Sequence, residues 1–240
     1  VNNTAVPTPV FEHNEDESKR FVLFDMFNTL VRLSDDIADY ETLDVLYRMY
    51  LSEYDYEEVK RLYDEKVYQL VKERRSDNLE IVFAEILEYM FSELGFKYDS
   101  IPDIENKVFH GSDYVSQMEG AKETLNFFKN NGYKIGVLSN SFFLKTTLET
   151  CLRKMNVYEP IDILVSSADI LYMKPRKEAY DVALKELGAD PEHTFFIGDD
   201  PVNDYDGPLS QGMHPIHIHL KGETRDINVK NIGQIPYLFK

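Results

Sequence analysis

Four short apolar runs, each closing on a polar residue, constrain this chain most: FVLFD at 21–25, YKIGVLSN at 133–140, IDILVSS at 161–167 and HTFFIGDD at 193–200. Runs of this length between turn residues read as strands buried on both faces. A fifth run, MHPIHIHL at 213–220, alternates more. Helix-period segments separate them: Ala121 to Asn131 before Gly132, Phe142 to Met155 with Phe143, Thr147, Cys151 and Leu152 on one face, and Pro175 to Leu187 before Gly188. Strand alternating with helix over 118–220, joined by one strand from before residue 30, predicts a three-layer α/β/α, Rossmann-like fold: a mostly parallel sheet with helices on both faces.

Residues 34–115 break the alternation. They read as consecutive amphipathic helices, at 35–54, 56–74, 79–95 and 101–115, with no convincing strand. The expected organisation is therefore an α/β core domain of residues 20–33 plus 116–240 and an all-helical insertion at 34–115, placed where it can cover the ligand-binding edge of the sheet. Residues 1–19 mix Pro, Asn and charge without periodicity and read as a loosely held leader.

Charge narrows the function classes. The chain carries 43 Asp and Glu against 26 Lys and Arg, a net charge of −17, which repels phosphate backbones and anionic lipid surfaces. No nucleic-acid or membrane partner is expected, only a small-molecule substrate. No apolar run approaches the roughly 18 residues of a membrane span, and the N-terminal stretch lacks the basic-then-apolar pattern of a secretory signal. With a single cysteine, Cys151, the expected setting is the cytoplasm. His214, His217 and His219 crowd the last strand, but no Cys or acidic residue stands at a spacing that supports a zinc site, so they read as strand histidines.

In doubly wound sheets ligands bind beyond the carboxyl ends of the strands. The first strand ends in Asp25-Met26-Phe27-Asn28-Thr29, the second in Ser139-Asn140-Ser141, and the fourth in Gly198-Asp199-Asp200-Pro201-Val202-Asn203-Asp204. Asp199, Asp200, Asp204 and Asp206 lie within eight residues. With Asp25 on a neighbouring strand end, their mutual repulsion asks for a cation, and Mg²⁺ suits one or two carboxylates, a carbonyl and waters. Lys174-Pro175 reads as the opening of a helix, with Pro at the first helical position. A lysine at that positive dipole end suggests that it faces negative groups.

A strand ending in DxxxT, a strand ending in SN, KP before a helix and then GDDPxND, in that order, resemble the haloacid dehalogenase superfamily over the whole chain after residue 20. The resemblance implies a hydrolase with Asp25 as nucleophile, Ser139 holding the transferring group, and Lys174 neutralising charge. It implies Thr29 and Asn140 as substrate-binding residues. Mg²⁺ would be held by Asp25, Asp199, Asp204 and the carbonyl of Phe27, and 34–115 would be the helical cap. Phosphatases of the superfamily usually carry a second Asp two residues after the nucleophile, as acid and base; here that position is Phe27. An aromatic there, with Tyr180, resembles the dehalogenase branch, whose halide-binding arginine could be Arg32 or Arg48. Three readings stay open: an Mg²⁺-dependent hydrolase of a small phosphorylated compound, a metal-independent 2-haloacid dehalogenase, and a catalytically weakened domain that binds a ligand or protein partner.

Overall fold

The computed structural model describes residues 9–34, 40–111, 115–220 and 224–240. The first eight residues of the leader, and the parts of the helical reading at 35–39 and 112–114, lie outside the described residues. The strands are β1 (Phe21–Phe24), β2 (Val31–Leu33), β3 (Val115–Gln117), β4 (Lys134–Ser139), β5 (Ile163–Ser166), β6 (Thr194–Gly198), β7 (His214–Ile218) and β8 (Asn228–Val229). Six of them form one parallel sheet in the order β5-β4-β1-β6-β7-β8. β7 is therefore not an edge, since β8 covers it. β2 and β3 pair antiparallel beside the sheet. Val115, read from sequence as the end of a helix, instead opens β3.

The helices are α1 (Glu41–Leu46), α2 (Tyr56–Arg74), α3 (Phe83–Leu94), α4 (Ile101–His110), α5 (Ala121–Asn130), α6 (Lys145–Lys154), α7 (Ser167–Ile170), α8 (Lys177–Leu187) and α9 (Gly207–Ser210). Side chains of β1 alternate between two apolar clusters, as the period of two requires. Val22 and Phe24 join Leu125 and Phe128 of α5 and Leu148 and Leu152 of α6. Phe21 and Leu23 join Ala179, Tyr180 and Ala183 of α8. The sheet is thus a middle layer between two layers of helix. No helix among the described residues is long and apolar enough to cross a membrane.

Between β2 and β3 the described residues form helices and turns, without a strand. α3 buries Phe83, Ile86, Leu87, Met90 and Phe91, the i, i+3, i+4, i+7, i+8 stripe of a helix with one wet face. α4 buries the same stripe, Ile101, Ile104, Val108 and Phe109, but with Glu105 inside it. The segment is stitched to the sheet by main-chain bonds: Glu80 donates to the Leu171 carbonyl, Met173 to Asn78 and Phe83 to Phe142. Leu79 bridges Tyr172.

Residues 9–19, expected to be loose, lie on the core. The N–H groups of Val10 and Phe11 both donate to the Leu238 carbonyl, and the Phe11 ring stacks edge-on to Phe195 at 4.8 Å. An aromatic side chain, invisible to a reading based on periodicity, supplies the anchor.

Candidate active site

The three polar strand ends converge with Lys174. Asp25 follows β1, its N–H donating to the Ile197 carbonyl of β6 at 2.8 Å. The next residues form a tight turn in which the Met26 carbonyl accepts from Leu30 and Val31 and Asn28 takes a left-handed φ of 59°. Asn tolerates that conformation better than most residues. The turn buries Thr29 completely.

Lys174 Nζ lies 2.7 Å from both Asp25 Oδ1 and Asp204 Oδ1, and its side chain is 2% exposed. The expected helix start at Pro175 is not observed: α8 begins at Lys177, behind an extended Arg176. The lysine is thus explained by the carboxylates it bonds, not by the end of a helix. Asn140 holds it in place, because its Oδ1 accepts from the Lys174 N–H at 2.7 Å and its Nδ2 donates to the Lys174 carbonyl at 2.9 Å. The Asn140 amide is thereby engaged with main chain, which makes it a positioning residue here.

β6 ends in Gly198 for a steric reason: a Cβ there would lie 2.4 Å from the Asp204 carboxyl. Asp204 tucks against that strand end and accepts from the Asp200 N–H through its other oxygen. The four acids divide. Asp200 caps the following turn by accepting from Val202 and Asn203 N–H, and exposed Asp206 pairs with Arg225. Asp199 and Asp204 remain with Asp25, and one carboxylate oxygen of each lies within 4.8 Å of the others. A second group with such spacing among the described residues, Asp190, Glu192 and His193, precedes β6 at the opposite end of the sheet.

Three carboxyls here face one ammonium. Burial pushes Asp25 up from the usual carboxylate range, against the pull of Lys174. Burial, then repulsion from Asp204, pushes Asp199 up to about 7; burial likewise raises Asp204, against the pull of Lys174. Burial alone would lower Lys174, but Asp204 and Asp25 outweigh it and hold the ammonium charged. Excess negative charge gathered on hard oxygen donors fits a divalent cation. Two buried hydroxyls, Ser139 Oγ and Thr29 Oγ1, have no hydrogen-bond partner among the described residues, as groups awaiting a ligand would.

Two residues singled out in the sequence for other reasons turn out to support the site. Tyr180 donates to the Asn203 carbonyl at 2.6 Å and fits only because Gly207 lacks a Cβ, which would sit 2.1 Å from the hydroxyl. It braces the Asp204 turn and does not line the cleft. His217 Nε2–H donates to the Asp199 carbonyl at 3.0 Å. Arg32 and Arg48 are exposed. Beside the polar cluster opens a cavity of about 250 Å³, bounded by Phe27, Leu33, Thr42, Phe109, Phe142 and Phe143, with Asn140 and Ser141 at its polar end.

The family model for haloacid dehalogenase-like hydrolases matches residues 22–218. Pyrophosphatase PpaX of Bacillus cereus (strain AH820) is 26% identical over 178 residues, 74% of this chain and 73% of that protein. Among solved structures, a 2-haloacid dehalogenase from Pseudomonas syringae pv. Tomato DC3000 superposes with a TM-score of 0.65 at 20% identity, covering 91% of this chain and 97% of the other. A HAD phosphatase from Thermococcus onnurineus gives 0.54 at 18% identity, with 90% and 95% covered.

Proposed function

The chain belongs to the haloacid dehalogenase-like hydrolases, and from that premise we propose that it hydrolyses a small phosphorylated compound through an aspartyl-phosphate on Asp25, with Mg²⁺ as cofactor. The observation that carries this reading is the cluster of buried Asp25 and Asp204 with half-buried Asp199 beside the single ammonium of Lys174. A carbon-centred displacement of halide needs no such accumulation of carboxylates, whereas two anions meeting at phosphorus need cations between them.

Asp25 is the nucleophile. One of its oxygens forms a bond to phosphorus as the bond from phosphorus to the leaving oxygen breaks, and that oxygen departs with the electron pair. Lys174 offsets the repulsion between the carboxylate and the incoming phosphoryl group. The buried hydroxyls of Ser139 and Thr29 donate to phosphoryl oxygens, and Asn140 fixes the main chain of Lys174. Asp199, Asp204, Asp25 and the Phe27 carbonyl are the residues to hold Mg²⁺, which when bound supplies charge neutralisation at the phosphoryl group. Water then attacks the phosphorus of the aspartyl-phosphate, releasing dihydrogen phosphate and restoring the Asp25 carboxylate. Phe27 can give no proton to the leaving oxygen. In this reading residues 34–115 serve as the cap over a core of 20–33 plus 116–240.

Steady-state hydrolysis of 4-nitrophenyl phosphate with and without Mg²⁺, beside Asp25→Asn, tests it. Turnover that needs Mg²⁺ and disappears in Asp25→Asn is expected. No turnover in either condition overturns the reading and favours a second one, for which Phe27 speaks: Asp25 attacks carbon, the carbon–halogen bond breaks, and halide leaves with the electron pair. Halide release from a 2-haloacid in EDTA would identify that chemistry.

A further inference from the structure

We propose that the cavity beside Asp25 selects the leaving group: an apolar, ring-bearing oxyanion of low basicity, so that the substrates are aryl or enol phosphates and not sugar phosphates or pyrophosphate. The inference rests on the phosphoryl-transfer reading above and adds the substrate class to it.

Two independent observations converge. The first is the absence of a proton donor at position 27. An alkoxide leaving group needs an acid, and a positioned one is worth about 10²–10⁴ in rate. An aryl or enol oxygen departs without one. The second is the composition of the wall. Phe27, Leu33, Phe109, Phe142 and Phe143 present hydrocarbon, and no charged side chain among the described residues lines the cavity. The phosphate that leaves from pyrophosphate would meet no cation among the described lining residues, and sugar hydroxyls would lose water without gaining partners. Asn140 is engaged with Lys174, and the Ser141 N–H donates to Ser167 Oγ.

The wall is also preformed. Phe142 and Phe143 lie 4.2 Å apart between ring centroids, and Phe109 meets Phe143 edge-on at 4.8 Å. Their loop is tied down at both carbonyls: Ser166 Oγ donates to Phe143 at 2.7 Å and the Phe83 N–H to Phe142 at 2.9 Å. An apolar cavity of about 150 Å³ already takes benzene, so about 250 Å³ accommodates a substituted ring. Flat groups in a rigid aromatic slot gain contact without an ordering cost to the protein.

The test compares kcat/KM, with Mg²⁺, for 4-nitrophenyl phosphate, acetyl phosphate and pyrophosphate, and Ki for phenylphosphonate against methylphosphonate. Acetyl phosphate needs no acid either but carries no ring, so it reports on the nucleophile and metal alone. The aryl ester should exceed acetyl phosphate by about tenfold or more, with pyrophosphate poorest, and phenylphosphonate should bind about tenfold more tightly than its methyl analogue. Thr42→Phe, which fills the cavity from α1, should narrow both ratios towards one. Acetyl phosphate or pyrophosphate turned over as well as the aryl ester, with equal phosphonate Ki values, overturns the substrate class and leaves phosphoryl transfer standing. Turnover of none of the three overturns both.

Discussion

Two walls flank the turn from Asp25 to Phe27, and they are built on opposite principles. One is charged: Asp25, Asp199 and Asp204 surround Lys174, each carried on a strand end or the turn just beyond it. The other is hydrocarbon: Phe27, Phe109, Phe142 and Phe143 come from two loops and a helix and line a cavity with no charged residue among those described. In the charged wall every position is set by hydrogen bonds, and Gly198 and Gly207 exist to let two side chains close in. In the apolar wall shape and ring packing do the positioning. The difference separates two tasks. Under the proposed function the charged wall would handle the phosphoryl group whatever it is attached to, and the hydrocarbon wall would read what it is attached to.

The largest effect should come from unbalancing the charged wall. Lys174→Met leaves Asp25 and Asp204 buried with no ammonium between them. Removing one member of a buried, bonded charge group costs about 3–5 kcal/mol, because the remaining charges stay desolvated. Urea midpoints should fall accordingly, and turnover of an aryl phosphate should drop by at least about 10³-fold, part of it through the lost charge neutralisation at phosphorus. A variant with the stability of the parent would mean that the carboxyls are neutral without their lysine, and the description of this wall as a charge cluster would be wrong.

The next test moves chemistry from one wall into the other. Phe27→Asp places a carboxyl at the half-buried position where this family's phosphatases usually hold their acid and base. Hydrolysis of an alkyl phosphate should rise by about 10²-fold, within the range expected for one positioned proton donor. Aryl phosphates should gain little, since their oxygen leaves unprotonated. The ratio of the two kcat/KM values therefore reads the division of labour directly. An unchanged ratio would show that another group already supplies the proton.

The charged wall was largely legible in the sequence, and the apolar one was not. β1, β4 and β6 are buried on both faces, so each must be written as an apolar run, and a polar residue at its end stands out. Asp25, Ser139 and Asp199 could be picked out on that ground. The roles of their supports could not. Tyr180 and His217 act through main-chain carbonyls of Asn203 and Asp199, contacts set by how α8 and β7 pack and not by any local pattern. Lys174 drew notice for a helix start that lies at Lys177 instead. β2, β3 and β8, of three, three and two residues, are too short to carry a periodicity. The apolar wall joins positions as distant as 27, 109 and 142, and a phenylalanine inside a helical stripe reads the same whether it faces a core or a cavity.

The smallest effect should come from loosening the apolar wall while leaving the charged one alone. Glu105 sits four residues before Phe109 on α4, one helical turn away, and is fully buried. Its Oε1 accepts from the Leu144 N–H at 2.7 Å and from Thr147 Oγ1 at 2.8 Å, clamping α4 to the start of α6 directly after the Phe142-Phe143 loop. Its other oxygen has no partner among the described residues. Burial, with a smaller push from Asp169, raises this carboxyl to about 7 from an ordinary value of 4.5. The folded state therefore binds a proton more tightly than the unfolded chain. The contribution to stability is present in full below pH 4.5, declines as pH rises, and is gone above about pH 7. The shift bounds the loss at about 3 kcal/mol. Other buried carboxyls titrate in the same window, so the informative quantity is the difference between the parent and Glu105→Gln, which keeps the acceptor and cannot ionise. Urea midpoints measured from pH 4.5 to 8 should converge for the two proteins at the acid end, with the parent falling below the variant towards pH 8. Over the same range the preference of Glu105→Gln for phenylphosphonate over methylphosphonate should hold steady while that of the parent weakens. Parallel midpoint curves would mean that the buried carboxyl titrates alike in both states, and that the clamp between α4 and α6 does not depend on its proton.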